Sequence, residues 1–217
     1  FGVMTHEAFH QYCHFLFNRS AAHRWFDEGH GDYYGAFILR GSRLAYGEDM
    51  VGGLSRRPHL KELLEGGQLK RLSKHIRFNH AAWQNQGPRN ISNYCQSFGL
   101  ISYLRLGADG DVGKKYWDKE YGTILPNYIK ELAKGFSDAY AEIVAQATEE
   151  LEALKEVEEP DQKKIELLTK VIARPFDYFV DQERRQEIWD NAMDASWGKI
   201  DENQLEQDWL KWLEKVL

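Results

Sequence analysis

The chain has 217 residues, of which 42% are hydrophobic and 29% are charged, and its formal net charge is −6. This length allows one large domain or two small ones with a proper core, and the composition is that of an ordinary globular protein. The negative charge gives no sign of a nucleic-acid partner, and no apolar run approaches the ~20 residues that cross a bilayer.

The first predicted helix covers residues 5–18, with Thr5 as its N-cap, and carries the motif His6-Glu7-Ala8-Phe9-His10. Because a helix turns once per ~3.6 residues, His6 and His10 lie one above the other and can hold a metal ion between their ring nitrogens. Glu7 flanks that ion and can take a proton from a metal-bound water. The motif therefore predicts a metal site with its own base.

A second predicted helix, residues 23–37, offers a third ligand. Glu28 follows His10 by eighteen residues and can reach the ion if this helix runs back beside the first. A catalytic zinc needs three protein ligands and an open position for water. Asp32 lies one turn beyond Glu28 on the same face, where its carboxylate can accept the N–H of a ligand histidine and fix the tautomer.

Hydrophobic periodicity predicts a mainly helical chain without an interdomain linker. Beyond the first two helices, the pattern indicates a short helix, a strongly amphipathic helix closed by Gly107 and Gly110, an almost continuous helical region, a solvated hairpin broken at Pro160, and an amphipathic tail. These segments cover residues 58–65, 93–106, 114 onward, 149–164 and 205–217.

Residues 37–39 and 44–46, on either side of Gly41-Ser42, predict either a small hairpin or an extended connection. Gly52-Gly53 and residues 84–90 predict loops. The two cysteines, Cys13 and Cys95, do not make a disulfide framework. We expect buried free thiols, with a bridge between the two as the alternative.

The motif around His6 and His10, followed at this distance by Trp25-Phe26-Asp27-Glu28-Gly29, resembles the gluzincin metallopeptidases. That group contains thermolysin and the aminopeptidases related to leukotriene hydrolase. More narrowly, the chain is similar to peptidase-MA-like domains found in many bacterial proteins. The segment Tyr94-Cys95-Gln96-Ser97-Phe98-Gly99-Leu100 resembles a helix start that follows in such enzymes.

The resemblance implies a role for each matching residue. His6, His10 and Glu28 would be zinc ligands, and Glu7 would be the general base that later passes its proton to the leaving amine. Tyr94 would donate a hydrogen bond to the oxyanion of the tetrahedral intermediate, where charge appears only in the transition state. Tyr94 has the alternative role of a core aromatic residue at a helix start.

Other polar residues near these motifs are candidates of a weaker kind. His75 and His80 are rivals of Tyr94, although we expect each to be a surface or capping histidine. His30 is either close to the site or a satisfied helix residue. His14, one turn past His10, would close the site as a fourth ligand, and we expect Asp27 to be solvated.

The resemblance also implies the fold class. We expect zincin-like metal-binding helices and a C-terminal helical lobe within one gluzincin-like domain, residues 1–217, divided at residues 1–52 and 53–217. The G-x-M-E-N element of the aminopeptidases is absent from the sequence. We expect a β-sheet lobe, which carries the substrate-aligning edge strand, upstream of Phe1. No targeting signal is visible, so the compartment is not predicted.

The leading hypothesis is a zinc-dependent peptidase that acts on a peptide or protein substrate. The second hypothesis is a helical binding or scaffold domain that keeps a structural or vestigial zinc site. A fourth protein ligand would favour the second, whereas Glu7 favours the first, because a structural site does not need a base. The third is a metal-free helical bundle.

Overall fold

A computed structural model describes residues 2–40, 43–46, 56–84 and 90–217, with the backbone alone for 38–40, 43–46 and 90. The predicted loops at Gly52-Gly53 and residues 85–89, and the turn at Gly41-Ser42, lie outside the described residues. The described part is mainly α-helical, as the sequence predicts. Its helices are α1 Gly2–Leu16, α2 Arg24–Gly35, α3 Arg57–Glu65, α4 Leu72–His75, α5 His80–Gln84, α6 Asn90–Ala108, α7 Ile124–Lys155, α8 Gln162–Ala173, α9 Gln182–Trp197 and α10 Glu202–Val216, with 3-10 turns at Lys119–Thr123 and Pro175–Asp177.

A small hairpin follows α2, so the hairpin alternative is confirmed. Strand β1, Phe37–Arg40, pairs antiparallel with β2, Arg43–Tyr46. In this register Phe37 lies opposite Tyr46 and Arg40 opposite Arg43.

Helix α1 begins before the predicted N-cap. Thr5 lies inside the helix, and its hydroxyl donates a hydrogen bond to the Gly2 carbonyl at 2.9 Å, so the N-cap prediction is wrong. A threonine hydroxyl can bond back to a preceding helical carbonyl as well as cap a helix, and sequence pattern does not separate the two roles. After α1, Asn18 and Arg19 take left-handed backbone angles (φ 51° and 64°) that turn the chain toward α2.

Helix α2 lies between α1 and α6 and makes extensive contacts with both. The predicted stripe of Phe9, Cys13 and Phe17 on α1 is buried. The Phe9 and Phe17 rings each lie 6.1 Å from the ring of Phe26 on α2. This aromatic contact sets α1 beside α2 and brings their polar faces together along one edge.

Helix α6 is the central helix, and the prediction that it is strongly amphipathic is wrong. Residues on all of its sides are buried from Ser92 to Leu104, because α2, α3, α5 and α10 all pack against it. Its polar side chains are satisfied inside the protein. For example, the Gln96 amide exchanges hydrogen bonds with the backbone N–H and carbonyl of Lys70 (2.9 and 2.7 Å). A helix buried all round needs such partners for its polar groups.

The C-terminal region is a set of packed helices whose beginnings follow from aspartate N-caps. Asp161, Asp181 and Asp201 each accept hydrogen bonds from backbone N–H groups in the first turns of α8, α9 and α10. Helices α8 and α9 both pack on α7. The connection between α7 and α8 is exposed, which confirms the solvated hairpin, and α10 buries the apolar face expected of the tail.

The buried apolar side chains form one cluster that reaches from α1 to α10. Its largest fully buried members include Trp25, Trp197 and Trp209, and the Trp209 indole donates a hydrogen bond to the Gly99 carbonyl of α6 at 3.2 Å. Cys13 and Cys95 are buried free thiols, so the bridge alternative is wrong. In the described ranges, no helix combines the length and apolar character that a membrane crossing requires.

Candidate metal centre

Three donor atoms from α1 and α2 converge at one point. His6 Nε2 and His10 Nε2 lie 2.9 Å apart, and Glu28 Oε2 lies 3.6 Å and 3.7 Å from them. Within the described residues these three form the one group of His, Cys, Asp or Glu side chains arranged to hold a metal ion. The structure thus brings the three sequence-predicted ligands together.

These separations match the size of a zinc ion. With zinc–donor bonds of about 2.0–2.1 Å and tetrahedral angles, two donors lie about 3.3–3.4 Å apart. The observed values of 2.9, 3.6 and 3.7 Å bracket that distance. Two imidazole nitrogens and a carboxylate oxygen are also a donor set that catalytic zinc sites use, so the residues present fit zinc.

The outer nitrogens of both histidines face carboxylates. His10 Nδ1 lies 2.8 Å from Asp27 Oδ1, and His6 Nδ1 lies 3.2 Å from Asp32 Oδ1, slightly off the line of a good hydrogen bond. With Nδ1–H turned to a carboxylate, each Nε2 carries its lone pair toward the other and toward Glu28 Oε2. Three electron-rich atoms that face one another favour a shared proton or a metal ion among them.

Asp27 is therefore part of the site, and the prediction that it is solvated is wrong. Its side chain is 19% exposed, and it orients His10 in the way that Asp32 orients His6. The sequence gives little sign of this role. Asp27 directly precedes Glu28, and adjacent residues on a helix point about 100° apart, so the ligand position of Glu28 does not place Asp27 beside His10.

Two arginines hold the carboxylates from outside. Arg56 donates to both oxygens of Asp32 through Nε and one terminal nitrogen (2.8 and 3.2 Å), and Arg24 donates to Glu28 Oε1 at 2.7 Å. The sequence analysis missed both. Arg24 is one turn before Glu28 on α2, a spacing that indicates an ion pair, whereas nothing in the sequence connects Arg56 with Asp32.

The electrostatics of the centre favour a cation. The centre holds three carboxylates, those of Asp27, Glu28 and Asp32, and two guanidiniums, with Arg24 on Glu28 and Arg56 on Asp32. In the metal-free protein the neighbouring carboxylates of Asp32 and, second, of Glu28 raise the pKa of His6 to about 9. The hydrogen bond to Asp27 likewise raises the pKa of His10. Protons thus compete with a metal ion for the same nitrogens.

Gly31 is the residue that lets His6 lie against α2. A methyl group on Gly31 would lie 2.8–3.0 Å from three atoms of the His6 ring, closer than real Cβ contacts come. Any other residue there would displace the imidazole. The sequence analysis did not identify this requirement, because it depends on the distance between two helices.

Glu7 and Tyr94 have different surroundings. Glu7 is exposed on α1, next to the ligand His6. Tyr94 is half-buried on α6, with the Arg56 guanidinium 5.6 Å from its ring centroid. Burial raises the pKa of Tyr94, and the negative charge of Glu28 raises it further.

The remaining histidines are not ligands within the described arrangement. His75 is fully buried, with Nε2 2.8 Å from Ser97 Oγ, so the expectation of a surface or capping role is wrong. His30 is a satisfied helix residue, because its Nδ1–H donates to the Phe26 carbonyl at 2.8 Å. His14 is exposed on α1, and His80 is exposed beside Arg24.

Comparison with known proteins gives no further assignment. No family model matches the chain, and neither a curated protein nor a solved structure matches it.

A separate cavity of about 610 Å³ lies between α1, α2, α6 and α7. Its walls are mostly aromatic, and they include none of the three ligands and neither Glu7 nor Tyr94. The lining residues are Thr5, Phe9, Tyr12, Phe26, Tyr34, Phe37, Arg105 and Ile129.

Proposed function

We propose that this protein is a zinc-dependent peptidase of gluzincin type, in which His6, His10 and Glu28 hold the metal. The observation that carries this proposal is the convergence of His6 Nε2, His10 Nε2 and Glu28 Oε2 within 3.7 Å of one another. Three protein donors leave one position of a tetrahedral ion for water.

The coordination favours a catalytic site over a structural one. In the part of the chain that the structure describes, neither His14 nor His30 joins the three donors, so no fourth protein ligand closes the site. Glu7 is exposed on α1, one residue after the ligand His6, so a substrate can reach its side chain. A purely structural site has no use for such a base.

Zinc held by these residues would polarise the scissile carbonyl and lower the pKa of a bound water toward ~7. Glu7 would accept the proton of such a water and would then pass it to the leaving amine. Asp27 and Asp32 keep both histidines in the tautomer whose Nε2 carries the lone pair. The resemblance to gluzincins, which rests on His6, His10 and Glu28, supports the same division of roles.

Tyr94 is the proposed donor to the oxyanion. Tyr94 is half-buried on α6, the helix that packs against α2. Burial raises its pKa, so the phenol is protonated and able to donate at neutral pH. Loss of one such donor typically costs about 100- to 1,000-fold in rate. Tyr94→Phe is therefore expected to lower kcat by this factor while zinc content is unchanged.

The experiment that tests this proposal compares zinc content and peptide hydrolysis for the protein and its Glu7→Gln variant. Hydrolysis of a mixed fluorogenic peptide library and zinc content after dialysis are measured on the same samples. We expect about one zinc per chain in both proteins and hydrolysis in the parent alone. Glu152→Gln, at an exposed position on α7, is the matched control and should keep full activity.

Two results would separate the alternatives. Equal hydrolysis by the parent and Glu7→Gln would contradict the proposed base. Stoichiometric zinc without hydrolysis of any library peptide would favour the second hypothesis, a binding domain that retains a zinc site.

A further inference from the structure

The two oxygens of the Glu28 carboxylate have different partners. Oε2 faces His6 Nε2 and His10 Nε2, whereas Oε1 accepts a hydrogen bond from the Arg24 guanidinium at 2.7 Å. The Glu28 side chain is only 8% exposed and that of Arg24 is 31% exposed, so water weakens this contact less than it weakens a surface pair.

A carboxylate can bind a metal through one oxygen or through both. Coordination through both oxygens would place Glu28 Oε1 in the space that a zinc ion keeps for water. A guanidinium on Oε1 opposes this, because a turn of Oε1 toward the metal would lengthen or bend this charge-assisted hydrogen bond. Arg24 thus limits how Glu28 can coordinate.

Arg24 is itself held from a second element. Its Nε and one terminal nitrogen lie 3.3 Å and 3.1 Å from His80 Nδ1 at the start of α5. With Nδ1 as the acceptor, His80 orients the guanidinium while a third nitrogen reaches Glu28. The arrangement Glu28–Arg24–His80 therefore joins the metal ligand to an exposed residue at the start of α5, outside α1 and α2.

We propose that Arg24 is a positioning residue that restricts Glu28 to coordination through one oxygen and so preserves the water position, and that His80 orients Arg24. This inference rests on the proposed function, because it concerns the same metal. It goes beyond that proposal in assigning a task to two residues that touch neither the ion nor the water.

The test uses Co²⁺ in place of zinc and reads the coordination number from the visible spectrum. Four-coordinate Co²⁺ absorbs strongly in the visible range, and absorption weakens as further ligands are added. We expect the strong spectrum in the parent, a clearly weaker one in Arg24→Met, and partial recovery in Arg24→Lys. His80→Ala, which changes an exposed side chain only, should give an intermediate spectrum.

Rate constants measured on the zinc forms give a second readout. Residues that orient metal ligands typically change activity about 10- to 100-fold, so Arg24→Met should lower kcat within this range with a smaller effect on KM. Arg184→Met, which removes an arginine paired with Glu187 on α9, is the matched control and should change neither the spectrum nor the rate.

The possible failures are distinguishable. An Arg24→Met protein that binds Co²⁺ with the parent spectrum overturns this inference and leaves the peptidase proposal intact. A parent without hydrolysis whose spectrum nevertheless changes in Arg24→Met overturns the peptidase proposal and supports the positioning role. A parent that binds no Co²⁺ overturns both.

Discussion

At the scale of single residues, the candidate centre is defined as much by the atoms behind the ligands as by the ligands. Asp27 and Asp32 face the outer nitrogens of His10 and His6, and Arg56 holds Asp32 in turn. Each contact restricts the direction of a lone pair. The ligand side chains are consequently oriented for a cation before one binds, so binding needs to order these side chains less.

Replacement of Asp27 by alanine tests this arrangement. Without its carboxylate, His10 Nδ1 loses its acceptor at 2.8 Å, and the ring is free to rotate. We expect zinc affinity to fall about 10- to 100-fold, as measured by competition with a chromogenic chelator. Asp138→Ala, at an exposed aspartate paired with Lys134, is the control. Unchanged affinity in Asp27→Ala would show that His10 is held by other means.

Gly31→Ala probes the closeness of His6 to α2. The added methyl group would meet the His6 ring at 2.8–3.0 Å and push the imidazole away from its donor position. We expect weaker zinc binding, of at least about tenfold, with little change in helix content by circular dichroism. Gly122→Ala is the control, since the nearest atom to its methyl group would be 3.7 Å away. Parent-like zinc affinity in Gly31→Ala would contradict the geometry described for His6.

At the scale of the elements, the local sequence pattern predicted the helices that carry the motifs. It did not predict which helix faces are buried where the burial comes from segments distant in sequence. The spacing of His6, His10 and Glu28 is a property of two neighbouring helices and can be recognised in the sequence. The partnership of Arg56 with Asp32 joins a helix to the start of a distant one. The complete burial of α6 likewise depends on α3 and α10, which no periodicity within α6 reveals.

The packing of α2 against α6 yields a prediction at this scale. A methyl group on Gly29 would lie 2.7 Å from Ile101 Cγ1 and 2.9 Å from the Ser97 carbonyl oxygen. Because that carbonyl belongs to a central helix, it cannot move aside easily. We expect Gly29→Ala to lower the free energy of unfolding by about 1–3 kcal/mol in urea titrations, with Gly122→Ala again as the control. Parent-like stability would mean that α2 and α6 are less closely packed than described.

At the scale of the whole molecule, buried neutral histidines link stability to pH. Burial lowers the pKa of His23 to about 4 and the pKa values of His30 and His75 to about 3. In the unfolded chain each returns to about 6.5. Below pH 6.5 the unfolded state therefore binds more protons than the native state, and the native state loses stability as the pH falls toward 4.

Each of these histidines is expected to contribute at most about 1.4 kcal/mol per pH unit to the slope of the free energy of unfolding against pH. In metal-free protein the raised pKa of His6 acts in a different window, stabilising the native state below pH 6.5 and losing this effect toward pH 9. His75→Gln keeps a group that can form a hydrogen bond with Ser97. It should reduce the slope of the free energy of unfolding against pH, between pH 6 and 4, by the contribution of about one proton. Urea titrations at several pH values in the presence of a chelator measure this slope. An unchanged slope would show that His75 is protonated in the native state.

The central claim is that a metal ion binds between His6 Nε2, His10 Nε2 and Glu28 Oε2, where the fold brings these three atoms together. Anomalous diffraction from zinc-loaded crystals, collected on both sides of the zinc absorption edge, tests it most directly. The account predicts a single strong peak about 2.0–2.2 Å from these three atoms, with a water as the remaining ligand and Glu28 bound through one oxygen. A peak elsewhere, or a fourth protein ligand at this position, would contradict it.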